Sequence, residues 1–500
     1  MFGNRSILIE PARPEGIRRN PRAPWFAVAV VCFGAFMGQL DASIVTLTFR
    51  PMERQFGAPL AGVQWVSLAY LLVLVALLTP VGRLSDAVGR KLLYTYGFVL
   101  FTLASAACGL APSLSLLVIF RVIQAAGAAM LQSNSVALVT TSAPAGNTRR
   151  ALGIQAAAQS IGLALGPTLG GLLTASVGWR YVYWVNVPVG IAAVIAARYL
   201  LPRTRQFSRT DSFDWLGTAL LATATTALLL AVSAASGLSM PGWAVALLIA
   251  AAAGSAAGFA ARQLRARFPL IPSQLLRSAR LGLGLGGALA GYLVLFGPLV
   301  LVPQVLSGAG GEARAGLILS ALPLGFGLAA LGAESVLPVS WGNWQRGVAG
   351  ALACAAALVL LIFLPFSTGS LAVMLAVAGL GLGVFVPANN TVIMSVSAQG
   401  SAGVLGGLVN MARGIGTALG ISAVTLALHL SGPVPGHQGP AGLDPRPALA
   451  MLAVIAVAAA FTALAGRGTA GARPEGGPTK GAGEAGGAAA QEGERPGAFG

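Results

Sequence analysis

The chain has 500 residues, of which 56% are hydrophobic and 9% charged, and its mean hydropathy is +0.79. A soluble protein of this size carries about 25% charged residues, so a water-soluble globular enzyme is excluded and an all-α polytopic membrane protein is indicated. The net charge of +17 does not mark a nucleic-acid binder, because the cations cluster in short stretches between apolar runs, where they set orientation in the bilayer.

Residues 1–24 form a polar, basic tail without a cleavable leader. Fourteen apolar segments follow, at 25–47, 61–81, 92–111, 114–140, 150–176, 181–201, 214–235, 241–261, 281–306, 314–337, 347–366, 370–395, 402–430 and 447–466. Each is long enough to cross a bilayer as a helix, which takes about 20 residues. Residues 467–500, rich in Gly, Ala, Pro and Glu, are expected to be a disordered tail. With both termini cytoplasmic, 24 of the 31 Lys and Arg residues fall on the inner side, five on the outer side and two, Arg121 and Arg413, within spans. That bias supports an even number of spans and a cytoplasmic-membrane location.

An internal repeat sets the domain organisation. Gly153, Gln159, Gly162 and Gly166 recur 254 residues later as Gly407, Arg413, Gly416 and Gly420, and Gly127 recurs as Gly381. The shift carries the fifth span onto the thirteenth. Two six-helix halves, 25–201 and 281–466, are therefore separated by two linker helices within 214–261.

Chemistry-bearing residues inside the spans are few. Asp41 is the one carboxylate deep in an apolar run. A charge at the bilayer centre costs about 3 kcal/mol, so an intramembrane acid is a candidate functional group, and burial favours reversible protonation. The alternative is that Asp41 lies near the outer end of its helix and touches water. Arg121, near the start of the fourth span, needs a carboxylate, a carbonyl or water. Between the second and third spans, Gly82 to Lys91 reads as a turn of ten residues at the membrane surface, with Asp86 able to pair with Arg83, Arg90 or a neighbouring helix end. In the fifth span Gly162, Gly166, Pro167, Gly170 and Gly171 would permit close helix approach and a kink. Cys32, Cys108 and Cys354 fall in apolar runs and read as small core residues. His429 and His437 read as structural. No phosphate-binding Gly-x-x-x-x-Gly-Lys-Ser/Thr loop, metal cluster or catalytic triad occurs. The chain reads as no enzyme, with no cofactor and no use of ATP.

Several of these stretches resemble one family. Gly82-Arg83-Leu84-Ser85-Asp86-Ala87-Val88-Gly89-Arg90-Lys91 is similar to the signature loop of major facilitator superfamily transporters. Leu40-Asp41-Ala42-Ser43-Ile44-Val45 resembles the first-helix signature of their drug:proton antiporters, with Ser43 in a threonine place. Arg121-Val122-Ile123-Gln124-Ala125-Ala126-Gly127 resembles the fourth-helix motif, with Ala125 for a glycine. Gly162-Leu163-Ala164-Leu165-Gly166-Pro167-Thr168-Leu169-Gly170-Gly171 matches the antiporter motif at every position. Trp179 to Gly190, Phe213 to Gly217, Phe268 to Pro272, and Asn410 with Arg413 fit the fourteen-helix branch. The resemblance covers about residues 25–466. It stops at the second-half copy of the charged loop, where Glu334 to Arg346 keeps Trp341-Gly342 and Arg346 but lacks the Gly-x-Leu-x-Asp order. A gating role for that second loop is left open.

The resemblance implies a major facilitator fold and a monomeric, proton-driven exporter of amphipathic small molecules, with protons and the lipid bilayer as its other partners. It implies proton coupling at Asp41 and Arg121, and gating at Gly82, Asp86, Gly89 and Arg90. Gln124, Asn410 and Arg413 are candidates for the cavity. A membrane sensor on a transporter scaffold and an uptake symporter are the competing readings. The intact fifth-span motif speaks against the symporter, and the retained Asp41 and Arg121 speak against the sensor.

Overall fold

The computed structural model describes residues 13–58, 60–204, 213–235, 240–306, 311–396, 401–431 and 444–468, and these are almost entirely helical. The expected outer loop from Gly432 to Pro447 lies mostly outside the described residues, as do His437, the side chain of His429 and the tail beyond 468.

Among the described residues, fourteen helical spans are long and apolar enough to cross a membrane; the sixth is made of two pieces, Tyr181–Trp184 and Asn186–Leu200, the longer of which is named α6. They are α1 (Ala23–Ile44), α2 (Leu60–Val88), α3 (Arg90–Leu110), α4 (Leu114–Ser142), α5 (Thr148–Ser176), α6 (Asn186–Leu200), α7 (Trp215–Ala235), α8 (Gly242–Arg265), α9 (Ala279–Leu306), α10 (Gly311–Val336), α11 (Asn343–Phe363), α12 (Thr368–Met394), α13 (Ala402–Ser431) and α14 (Arg446–Gly468). In hydrocarbon a helix satisfies its own N–H and C=O groups, which is why long apolar runs adopt it. The expected count of fourteen and the all-helical class are borne out.

Three local details differ from the sequence reading. The first span ends at Ile44 and continues as a 3-10 turn, Val45–Thr48, into a short helix Phe49–Phe56. That short helix is too polar to signal a span. The sixth span is broken into Tyr181–Trp184 and Asn186–Leu200. Most consequentially, Gly82 to Lys91 is not a ten-residue turn. Helix α2 runs on to Val88 and α3 begins at Arg90, so Gly89 alone breaks the helix, at φ 125°. Only glycine takes that backbone conformation without strain.

The helix contacts repeat with a shift of eight. Helix α1 packs on α5 as α9 packs on α13; α2 on α4 as α10 on α12; α3 on α4 as α11 on α12; α3 on α6 as α11 on α14. Across the halves, α2 meets α13 as α10 meets α5. The backbone follows the same symmetry. Gly127 is closed against Phe101 and the Gly97 carbonyl, and its repeat mate Gly381 against Cys354 and the Gly350 carbonyl. A Cβ at either would collide with main chain, so these glycines fix how near the helices lie. Helices α7 and α8 pair with each other, and α7 rests against α2 and α13. Asp214 Oδ1 ties them by accepting from the Gly217 N–H at 2.9 Å and from Arg262 Nε at 3.2 Å.

Candidate functional site

Asp41 lies one turn from the end of α1 and is fully buried. Its position near the helix end fits the water-contact alternative, but its burial does not. Arg121, 1% exposed, projects from α4 and donates from one terminal nitrogen to Asp41 Oδ2 at 2.6 Å and to Gln124 Oε1 at 2.7 Å. Its Nε donates to the Val66 carbonyl of α2 at 3.1 Å. The guanidinium stacks 4.0 Å from the centre of the Tyr70 ring. Gln124, one turn beyond Arg121, donates to Asp41 Oδ1 at 3.0 Å and to Ser105 Oγ on α3 at 2.7 Å. Asn186, opening α6, donates to the same Asp41 oxygen at 3.0 Å.

Every partner of Asp41 is therefore a donor, as an ionised carboxylate requires. Five helices of the first half contribute to one buried cluster, and it holds one acid against one guanidinium. A buried pair of this kind is costly to assemble and to break unless its remaining hydrogen bonds are met. Here Gln124, Asn186 and the Val66 carbonyl meet them. The pair is one of the direct ties between α1 and α4.

Sequence reading paired Asp41 with Arg121 only through the resemblance, and it missed Asn186, Ser105 and Tyr70. Asn186 stood inside the quoted Trp179–Gly190 stretch, and as a polar residue at the head of an apolar helix it was the available signal. Gln124, expected among the cavity residues, belongs to this cluster instead and lies apart from Asn410 and Arg413.

The fifth-span motif packs directly against the Asp41 segment. A Cβ on Gly162 would strike the Phe36 carbonyl, one on Gly166 would strike Ser43, and one on Gly170 the Ile44 carbonyl. Ser43 Oγ donates within its own helix to the Gln39 carbonyl at 2.9 Å. The glycines thus let α5 lie against the turn of α1 that carries Asp41. Pro167 and Gly171 lie in the same helix, α5.

The charged segment forms a clamp between the halves. Asp86, fully buried, accepts from Arg90 Nε and Nη2 at 2.9 and 2.8 Å within its own half. It also accepts from the Gly403 N–H at 2.9 Å and the Val404 N–H at 3.0 Å, first-turn donors of α13 that have no acceptor within their own helix. A carboxylate at a helix N-terminus meets both unsatisfied N–H groups and the positive end of the dipole. Gly82 and Gly403 face each other backbone to backbone, so any side chain at either would push the halves apart.

The second half has a counterpart despite its lost motif. Glu334, at the end of α10, forms an ion pair with Arg149, near the start of α5, and another with Arg346 at 3.4 Å. Arg149 also donates to Asn343 Oδ1 at 3.1 Å. The 254-residue shift carries Arg149 onto Gly403, so the two clamps occupy equivalent places. One acid grips a helix N-terminus through its backbone and the other through a side chain.

Asn410 and Arg413 sit on α13, both buried. Asn410 donates to the Gln132 carbonyl of α4 at 2.7 Å, and Arg413 donates to Asn410 Oδ1 at 3.2 Å. Tyr292 of α9 donates to Gln159 Oε1 of α5 at 3.2 Å. The Asn410–Gln132 and Tyr292–Gln159 bonds, with both clamps, join the two halves.

The family model described as Major Facilitator Superfamily matches residues 31–421. A tetracenomycin C resistance and export protein of Streptomyces glaucescens is 31% identical over 425 residues, covering 82% of this chain and 78% of that protein. A methylenomycin A resistance protein of Bacillus subtilis is 30% identical over 418 residues, covering 80% and 87%. Among solved structures, the human organic anion transporter MFSD10 aligns with a TM-score of 0.61 at 17% identity, over 89% of this chain and 100% of that one. That last likeness is one of fold.

Proposed function

Since the chain belongs to the major facilitator superfamily and is a multi-pass membrane transporter, we propose that it is a proton-driven antiporter exporting amphipathic organic molecules such as antibiotics. It would lie in the cytoplasmic membrane with both termini inside. The observation that carries the coupling is the buried Asp41–Arg121 pair, an acid whose only charged partner among the described residues sits on another helix of the same half. The resistance and export names of the relatives support the direction of transport.

The geometry supports the following cycle. Both clamps hold the halves together at the Gly89 end; the positive-inside bias supports reading that end as cytoplasmic and this state as the one closed on that side. A proton from outside neutralises Asp41 and releases Arg121. The halves then rock open at the cytoplasmic side, where the proton leaves and substrate enters. Re-forming the ion pair returns the cycle to its start. No cofactor is needed, because the proton gradient drives the cycle, and a monomer contains every part.

The test is transport in proteoliposomes under an imposed pH gradient, with a panel of dyes and antibiotics. Asp41→Asn is expected to abolish uphill transport while substrate binding stays measurable. Uphill pumping by that variant would place the proton elsewhere and refute the mechanism.

A further inference from the structure

Asp41, Asp86, Asp214 and Glu334 each face an arginine: Arg121, Arg90, Arg262, and Arg149 with Arg346. Arg413 is different. It is 4% exposed, and among the described residues it makes no ion pair. One terminal nitrogen donates to Asn410, its guanidinium lies 4.9 Å from the centre of the Tyr292 ring, and its buried Nε has no hydrogen-bond partner. A cation out of water with an idle donor is costly and calls for an acceptor.

Its location says where that acceptor would come from. Arg413 and Gln159 are repeat mates, 254 residues apart, and both converge on Tyr292: Arg413 over the ring and Gln159 on the hydroxyl. Two equivalent positions meeting at one side chain lie beside the pseudo-two-fold axis relating the halves. In transporters built of repeats, the substrate site lies at that interface. The repeat is broken there in one respect: a neutral amide on α5 faces a fixed positive charge on α13.

We propose that Arg413 is the charge-selecting residue of the substrate site and that the substrate is an amphipathic aromatic anion, bearing a carboxylate, phenolate or enolate that pairs with Arg413. Asp41 is already closed off by three donors, so it offers a cationic substrate no charge. Arg413 offers a guanidinium fork with an idle arm, and Tyr292 a ring face beside it for an aromatic body. The proposal rests on the exporter reading above and narrows it.

The probes are fluorescein, an anion, and rhodamine 123, a cation on the same xanthene frame. Binding to the purified full-length protein is read by fluorescence anisotropy without a gradient, on wild type, Arg413→Gln and Arg413→Lys. Wild type is expected to bind fluorescein more tightly than rhodamine 123. Arg413→Gln, which restores the residue of the other repeat, should weaken fluorescein by about ten- to a hundredfold, the worth of a charge-assisted hydrogen bond, and leave rhodamine 123 unchanged or tighter. Arg413→Lys should keep part of the anion preference, since charge remains and the fork is lost. Wild-type protein that binds rhodamine 123 as tightly as fluorescein, or that binds no fluorescein, overturns the proposal. So does a monodisperse Arg413→Gln protein with wild-type fluorescein affinity. These readouts need no proton gradient. A protein that pumps rhodamine 123 under a pH gradient and ignores fluorescein would sink this inference and leave the exporter reading standing.

Discussion

Asp86→Asn separates the gating role of the first clamp from its role in folding. Asp86 uses both oxygens: Oδ1 serves Arg90 and the Gly403 N–H, and Oδ2 serves the Val404 N–H. Asparagine keeps one acceptor and turns an amide donor toward the other N–H. The bonds to Arg90 stay within one half, four residues apart on the same segment, so their loss does not directly separate the halves. The loss that matters is one charge-assisted bond across the halves, about 1.5–3 kcal/mol, plus the helix-end attraction of about 0.3–1 kcal/mol. Together these shift the open–closed equilibrium by about twentyfold to about seven-hundredfold. Spin labels at Val88 and Val339, both exposed at the Gly89 end on opposite halves, report the separation. The variant is expected to gain a longer-distance population, to fold normally and to transport slowly. An unchanged distance distribution with wild-type transport would remove Asp86 from the gate.

Glu334→Gln should act in the same direction with a smaller effect, about 1 kcal/mol, because Glu334 and Arg149 are each 28% exposed and solvent screens the pair; the same label pair measures it, and an effect larger than that of Asp86→Asn would reverse the ranking. For topology, a cysteine at Pro112, between α3 and α4, should react with an impermeant thiol reagent from outside, and one at Val339 only from inside. Pro112 labelling from inside would invert the orientation.

What the sequence made legible followed from periodicity and composition. Long apolar runs fixed the helices, and the glycine spacing fixed the repeat, because a glycine at a crossing is demanded by contact geometry in both copies. What stayed hidden were partnerships between side chains distant in the chain. Asp86 and Val404 are 318 positions apart, and Asp41 and Asn186 are 145 apart. Such pairs depend on how each helix is rotated, which hydropathy does not encode. The charged stretch was misread as a turn because charges at a helix end look like a loop. Arg90 and Lys91 are in fact buried, Arg90 on Asp86 and Lys91 at 1% exposure. The second clamp was missed because its motif order is lost. The signal available was the repeat itself, which places Arg149 opposite Gly403 and so asks for an acid near the end of α10.

The repeat also explains where the chemistry is not. The glycine contacts relate α1 to α9 and α3 to α11 by 253 residues, and α4 to α12 by 254. Asp41 then corresponds to Val294, Ser105 to Leu358, Arg121 to Leu375 and Gln124 to Ala378. All four counterparts are buried in one apolar cluster of the second half. One scaffold thus carries a polar cluster in one copy and a hydrocarbon core in the other, so the fold does not need the ion pair. Removing one partner of a buried pair costs about 3–5 kcal/mol, whereas replacing both by apolar residues is often neutral or stabilising. Arg121→Leu alone should therefore lower the unfolding temperature of the detergent-solubilised protein. Asp41→Val with Arg121→Leu, the residues of the second half, should recover most of that loss, with Gln124 still bonded to Ser105. Neither variant should pump against a gradient. A double variant as unstable as Arg121→Leu would show that the pair holds the first half together, and its retention would then need no functional cause.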